Sequence, residues 1–385
     1  MINVRNDIFQ VLKKVLKKKR SLHAPVFFNK ELAEVKKCVN SSYVSTKGIY
    51  VQKFEKELKK IVKSKHVIST NSGTSAIEIA LRSINILPND EILVPALTFV
   101  ATVNAITYCK AIPHFVDASL TNFGIDAEKL LKYLEKITYK KKGFFYNKRT
   151  KRRIFAILPV HVFGFPASMK KIMNISKKYN LKVVEDATEA LGSKYFNKQV
   201  GTIGDIGTFS FNGNKIITTG GGGAIVTNNS YYYKRAVHLA STSKINHKWK
   251  YIHDEVGWNY RMPALNASLG IMQLKNFNKI LKLKRKIAKN YSNLFYKKKI
   301  KFVYEEKNTK ANYWLNTILL NNYNFKQRDS IINFCNKKGY NCRPAWNLIC
   351  DIKVYKKFPK SNLDNSRNLL KNVINLPSGV DILKK

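Results

Sequence analysis

Cysteine is scarce and shows no pairing pattern: the five present (Cys38, Cys109, Cys335, Cys342 and Cys350) are odd in number and none falls in a CxxC spacing. That argues against a disulfide scaffold and against a structural zinc site, and it points to a reducing, cytoplasmic compartment. No run of about eighteen apolar residues occurs and the N-terminus carries no apolar signal core, so neither a membrane span nor secretion is expected. Acidic residues are the other shortage, 24 Asp and Glu against 70 Lys and Arg, for a formal charge of +46. A charge of that size would ordinarily suggest a nucleic acid or an anionic membrane as partner. The lysines, however, run through almost every segment together with many Asn, Ile and Tyr, the texture that drift of surface positions in an AT-rich coding sequence produces. No specific nucleic-acid partner is therefore expected, although the field would enrich anionic substrates near the protein.

What is present is enough chain, 385 residues, for one large domain and a smaller one. Residues 1–25 carry a basic amphipathic helix, with Ile8, Val11, Leu12, Val15 and Leu16 on one stripe and Lys13, Lys14, Lys17, Lys18, Lys19 and Arg20 crowding the other side. Docking on its own protein or on a subunit partner is the expected use of that stripe. From residue 66 to about 230, short apolar runs alternate with helical stretches, which predicts a mostly parallel sheet with crossover helices and ligands beyond the carboxyl ends of its strands. The expected large domain spans 26–255, and 256–385 reads as a smaller α+β domain. The basic aromatic stretch 137–153 (ITYKKKGFFYNKRTKRR) reads as a solvated hairpin turning at NKRT rather than a single-strand nucleic-acid patch.

Four features of this α/β chain bear on chemistry. GTFSFNGNKIITTGGGG (207–223) places Lys215 in a polar, glycine-rich loop that cannot pack as a helix or strand interior. Asp186 ends the apolar run LKVVED, as either a helix cap or a group aimed into the ligand crevice. In NSGTSAIEIAL, Gly73, Thr74 and Ser75 fall at a helix start, where unpaired N–H groups and small hydroxyls can bind a phosphate or simply cap the helix. Phe99 follows another strand. An amine, a carboxylate, a phosphate cradle and an aromatic face are what pyridoxal 5′-phosphate (PLP) needs.

The motifs SGTSA, VPALTFVATVNA, VPVHVFG, VVEDATEALGS, GTFSFNGNKIITTGGGG and GWNYRMPALNASLG, in that order, resemble the DegT/DnrJ/EryC1/StrS nucleotide-sugar aminotransferases. The resemblance covers nearly the whole chain. It implies an aspartate-aminotransferase-like fold (PLP fold type I), PLP as cofactor, L-glutamate as amino donor and a nucleotide sugar as acceptor. It also implies roles: Lys215 holds the cofactor aldehyde and shuttles a proton, Asp186 pairs with the pyridine nitrogen, and Gly73, Thr74, Ser75 and Ser210 bind the phosphate. Phe99 would stack on the ring, and Asn259 would reach the phosphate of a neighbouring subunit in a homodimer. His161 is better read as a strand-end residue bonded locally. No metal is implied.

Two departures from the family pattern stand out. Glu189 occupies a position commonly Gln, which predicts a carboxyl that is protonated or turned aside, and Gly221 replaces the acid of a GEGG motif. Both resemble the branch that aminates UDP-linked 4-keto-6-deoxy-N-acetylhexosamines toward legionaminic acid or bacillosamine, or the perosamine branch acting on GDP-sugars. SLHAPVF with its preceding helix, and RPAW, favour the former. The rivals are a sugar dehydratase, in which histidine replaces the lysine, and a non-catalytic polyanion-binding protein on the same fold.

Overall fold

The runs HVIST, EILVP and IPHFV become strands β1 (His66–Thr70), β2 (Glu91–Pro95) and β3 (Ile112–Val116) of a central sheet. A computed structural model describes residues 2–16, 18 and 20–383. The sheet continues through β4 (Thr138–Lys141), β5 (Phe144–Asn147), β6 (Arg153–Ile157), β7 (Lys182–Asp186), β8 (Ile206–Ser210) and β9 (Gly223–Thr227). Its main path runs β1-β9-β8-β7-β6-β2-β3. From β8 to β3 all neighbours are parallel, and β9 is antiparallel to both β8 and β1. Every residue of β2 and β9 is buried, the pattern of strands covered on both faces. β4 and β5 form one hairpin through a turn at Lys142–Gly143, and β5 and β6 pair antiparallel across NKRT, the predicted hairpin. There the side chains of Asn147 and Thr150 both bond the buried carboxylate of Glu91, a role no surface turn would need.

Helix α1 (Ile2–Leu16) buries Ile8, Val11, Leu12 and Leu16. Phe9 meets Phe334 edge-on at 5.6 Å, and Asp7 pairs with Lys298 at 2.7 Å. The apolar stripe thus docks on the protein's own C-terminal part, while Lys17 and Lys19 of the expected basic face lie outside the described residues. Among the described residues no helix is long and apolar enough to cross a membrane. Helices α2 (Lys30–Asn40) and α3 (Ile49–Val62) follow, and α4 (Gly73–Ser83) and α5 (Val100–Tyr108) start just past β1 and β2. Each of these two starts brings a helix N-terminus to the strand ends. The remaining crossovers include α6 (Ala127–Ile137), α7 (Met169–Tyr179) and α8 (Ser230–Ala240).

α9 (Ala264–Lys275) packs on α2 and α3. The division expected at residues 255 and 256 falls ahead of it, and we assign α9 to the large unit on that packing. The long α10 (Phe277–Lys297) leads to a four-stranded antiparallel sheet, β10 (Lys301–Phe302), β11 (Asn316–Leu319), β12 (Arg343–Pro344) and β13 (Val373–Leu376), in the order β10-β11-β13-β12. With α11 (Phe325–Lys337) and α12 (Asp364–Asn372) it forms an α+β unit. The start of α11 is fixed by a capping box in which Asn324 and Gln327 bond each other's backbone N–H groups.

Candidate active site

β7 and β8 are parallel neighbours with Asp186 opposite Thr208, so both chains leave the sheet at the same edge. Asp186 is the last residue of β7, and Ser210 is the last of β8. Residues 187–192 form turns rather than a helix, so Asp186 is not a helix cap; its carboxylate stays at the edge. Oδ2 accepts from the Thr102 hydroxyl at 2.7 Å and Oδ1 from the Thr188 N–H at 3.1 Å, and the residue is buried. Thr102 is itself bonded to Thr98 at 3.0 Å, which fixes the hydroxyl that orients the acid.

Beyond β8 the chain turns so that the Lys215 N–H donates to the Asn212 carbonyl at 3.0 Å. The amine Nζ then lies 3.4 Å from Glu189 Oε1 and 4.1 Å from the ring centroid of Trp314. Trp314 is tied to the same loop, its indole N–H donating to the Asn214 carbonyl at 2.7 Å. Glu189 is buried, and its Oε2 accepts from the Phe163 N–H at 2.9 Å. Burial pushes its pKa up to about 7, against the opposing pull of the Lys215 charge and the Phe163 N–H. One oxygen of its carboxyl is held by the Phe163 N–H while the other faces the lysine.

The start of α4 closes another wall. Ser72 is the N-cap, its Oγ accepting from the Ser75 N–H at 3.1 Å. Gly73 is packed so closely on β8 that a Cβ there would stand 2.8 Å from Ser210 Cβ. Asp186, Glu189, Lys215, Gly73, Thr74, Ser210 and Phe99 therefore share one cavity of about 300 Å³, closed by Trp314 and Trp346. Phe99 is half exposed and its ring stands 5.9 Å from that of Trp346. Gly221 borders the same cavity.

Two predicted residues are placed elsewhere. The Ser75 hydroxyl is turned onto Asn71 and Ser72, outside the lining of this cavity. Asn259 lines a different cavity, with Thr46, Gly48 and Arg261, and its backbone bridges to Ser241. His161 is bonded locally: Nδ1 accepts from the Ala167 N–H at 3.0 Å, so the proton sits on Nε2 and is given to Glu185 at 3.0 Å. Sequence reasoning missed Thr102, one helical turn after Phe99, and Trp314, which arrives from the C-terminal part.

The chemistry of this donor set fits PLP: an amine, a buried carboxylate across from it, a helix start with a glycine where a Cβ would fill the cradle, and an aromatic ring at the mouth. Residues 27–385 match the DegT/DnrJ/EryC1/StrS aminotransferase family. The chain belongs to that family. Among its relatives are the GDP-perosamine synthase of Escherichia coli O157:H7, 36% identical over 362 residues (93% of this chain, 92% of the relative), and that of Vibrio cholerae, 32% identical over 363 residues (93% of each). Helicobacter pylori PseC, an aminotransferase involved in the biosynthesis of pseudoaminic acid, superposes with a TM-score of 0.84 at 25% identity, covering 94% of each chain. The protein is accordingly a PLP-dependent sugar aminotransferase with the α/β architecture of PLP fold type I.

Proposed function

We propose that the enzyme moves the amino group of L-glutamate to C4 of a UDP-linked 4-keto-6-deoxy-N-acetylhexosamine. The observation that carries the chemistry is the convergence of Lys215 and Asp186 on one sheltered cavity. When bound, PLP supplies an electron sink for the carbon that loses its proton. Lys215 Nζ takes the α-proton of glutamate and later delivers a proton to C4 of the sugar. Asp186, oriented by Thr102 and Thr188, would keep the pyridine nitrogen of the bound cofactor protonated. Gly73, Thr74 and Ser210 would hold the phosphate at the α4 N-terminus, where backbone N–H groups and the helix dipole favour an anion. Phe99 would cover the ring. Ser75 braces the α4 start through Asn71 rather than binding phosphate itself.

The UDP reading is supported by RPAW, whose Trp346 lines the cavity; Glu189 and Gly221, which border it too, suit either branch. A second reading, a GDP-linked 4-keto-6-deoxymannose as in perosamine formation, is favoured by the names of the GDP-perosamine synthase relatives. A panel of UDP- and GDP-linked 4-ketosugars, scored by mass spectrometry for the aminated product, separates them. Preference for a GDP-sugar would overturn the first reading.

The site is proposed to be complete only in a homodimer. Asn259 lines a cavity other than that of its own Lys215, beside the loop that carries exposed Tyr43, Val44 and Ile49, where a second subunit would bring its phosphate site. Light scattering that returned a monomer at working concentration would contradict this.

A further inference from the structure

The Lys215 amine is flanked by two groups from distant parts of the chain, Glu189 in the turn after β7 and Trp314 in the segment between β10 and β11. Both hang on one side chain. Asn312 is wholly buried, and its Nδ2 donates to the Glu189 carbonyl at 2.9 Å and to the Leu191 carbonyl at 3.0 Å. Its Oδ1 accepts from the Trp314 N–H at 2.8 Å. With two carbonyls at one end and an N–H at the other, the amide fits only one way round.

Asn312 is braced in turn. Its own N–H donates to Ser193 Oγ at 2.9 Å, and that hydroxyl donates to the Gly164 carbonyl at 2.7 Å. Gly164 has a φ of +92° and no room for a Cβ, which would fall on Asn312 Oδ1. Next to it, Phe163 gives its N–H to Glu189 Oε2 at 2.9 Å and accepts at its carbonyl from the Leu315 N–H at 3.3 Å. Glu189 is thus held at backbone and carboxyl, and Trp314 at its N–H and, through the Asn214 carbonyl, at its indole. No member of such a buried network can shift without leaving a polar group unpaired.

Asn312 does not line the Lys215 cavity, so anything it contributes to the chemistry passes through the residues it holds. Those residues set the place of the amine: the indole face 4.1 Å away attracts an ammonium, and the Glu189 oxygen stands 3.4 Å off. A group that transfers protons is sensitive to its place, since a displacement of about 1 Å can cost about a hundredfold in rate. We propose that Asn312 is a positioning residue of the reaction, seating Glu189 and Trp314 as a pair against Lys215 and so fixing where the amine stands when it takes and returns protons. The inference rests on the proton-transfer role proposed above for Lys215.

The first readout uses the cofactor-free full chain: acylation by acetic anhydride, followed by peptide mass mapping, reports the shielding of Lys215, whose side chain is 12% exposed. Asn312→Ala should acylate Lys215 about tenfold faster, while exposed Lys171 and partly buried Lys182, at the far end of β7, keep their rates. In a Trp314→Ala background the same substitution should add less than it does alone, because one of the groups it holds is gone. In the PLP-loaded enzyme the glutamate half-reaction, followed by absorbance, should slow about tenfold, the worth of one buried hydrogen bond, with half-saturating glutamate nearly unchanged. Asn312→Asp keeps the volume and the Trp314 bond but loses both donors, and it should show the same changes even where Asn312→Ala does not fold. Full additivity with Trp314→Ala, an equal rise at Lys182, or wild-type acylation and half-reaction rates would overturn the proposal. Failure of the parent reading is distinct, because it shows as normal turnover by Lys215→Ala.

Discussion

Glu189 Oε1 lies 3.4 Å from Lys215 Nζ, so the amine that carries the chemistry shares its pocket with a buried carboxyl whose pKa burial has raised to about 7. An ordinary surface glutamate would be a full negative charge here. Burial favours its neutral form, which would ease the expected repulsion toward the cofactor without removing the acid.

Stability should report that carboxyl directly. The unfolded group titrates near 4.5 and the folded group near 7, so between those values the native state holds more protons and stability falls as pH rises. The loss is complete above about pH 7 and amounts to about 3 kcal/mol. Glu189→Gln keeps an acceptor for the Phe163 N–H and removes the titration. In urea unfolding of the cofactor-free protein, the variant should gain on the wild type by about that amount at pH 8 and hardly at all at pH 4.5. The same difference at both pH values would contradict the assignment.

Thr102→Val removes the hydroxyl that donates to Asp186 Oδ2 at 2.7 Å. A lost hydrogen bond to a buried charged group costs about 2 kcal/mol. Turnover should fall about tenfold or more with glutamate KM nearly unchanged, because the acid is misaligned while the donor's own contacts remain. Steady-state kinetics check this.

Gly73→Ala tests the cradle. The new methyl would press within 2.8 Å of Ser210 Cβ, and overpacking of this kind costs about 1–3 kcal/mol. The strain falls where the phosphate is to be held, so PLP affinity, titrated by fluorescence quenching of the cofactor-free protein, should drop more than the melting temperature does.

The parts of this site legible in the sequence are those that local rules fix. A strand end followed by a polar turn exposed Asp186, a serine N-cap marked α4, and the polar approach to the glycines marked the Lys215 loop. Ser75, three residues beyond the cap, turns its hydroxyl back onto Asn71, which helix periodicity does not reveal. Trp314 carried no local signal at all. Its place over the lysine follows from the C-terminal unit's packing and from one bond to the Asn214 carbonyl. The turn expected at NKRT joins β5 to β6, but the sequence did not show the second turn at Lys142–Gly143, where Gly143 accepts a positive φ of 81°, nor that Asn147 and Thr150 bond a buried glutamate. The packing of α9 on α2 and α3, which joins residues far apart in the chain, carried no local signal.

The central claim is that Lys215 is the cofactor-bearing amine of a sugar aminotransferase. Borohydride reduction of the PLP-loaded enzyme followed by peptide mass mapping tests it most directly. The label should appear on the peptide containing Lys215 and disappear when the enzyme is first treated with L-glutamate, and Lys215→Ala should keep the fold while losing both label and turnover. Label on a different lysine, or normal turnover by Lys215→Ala, would contradict the account.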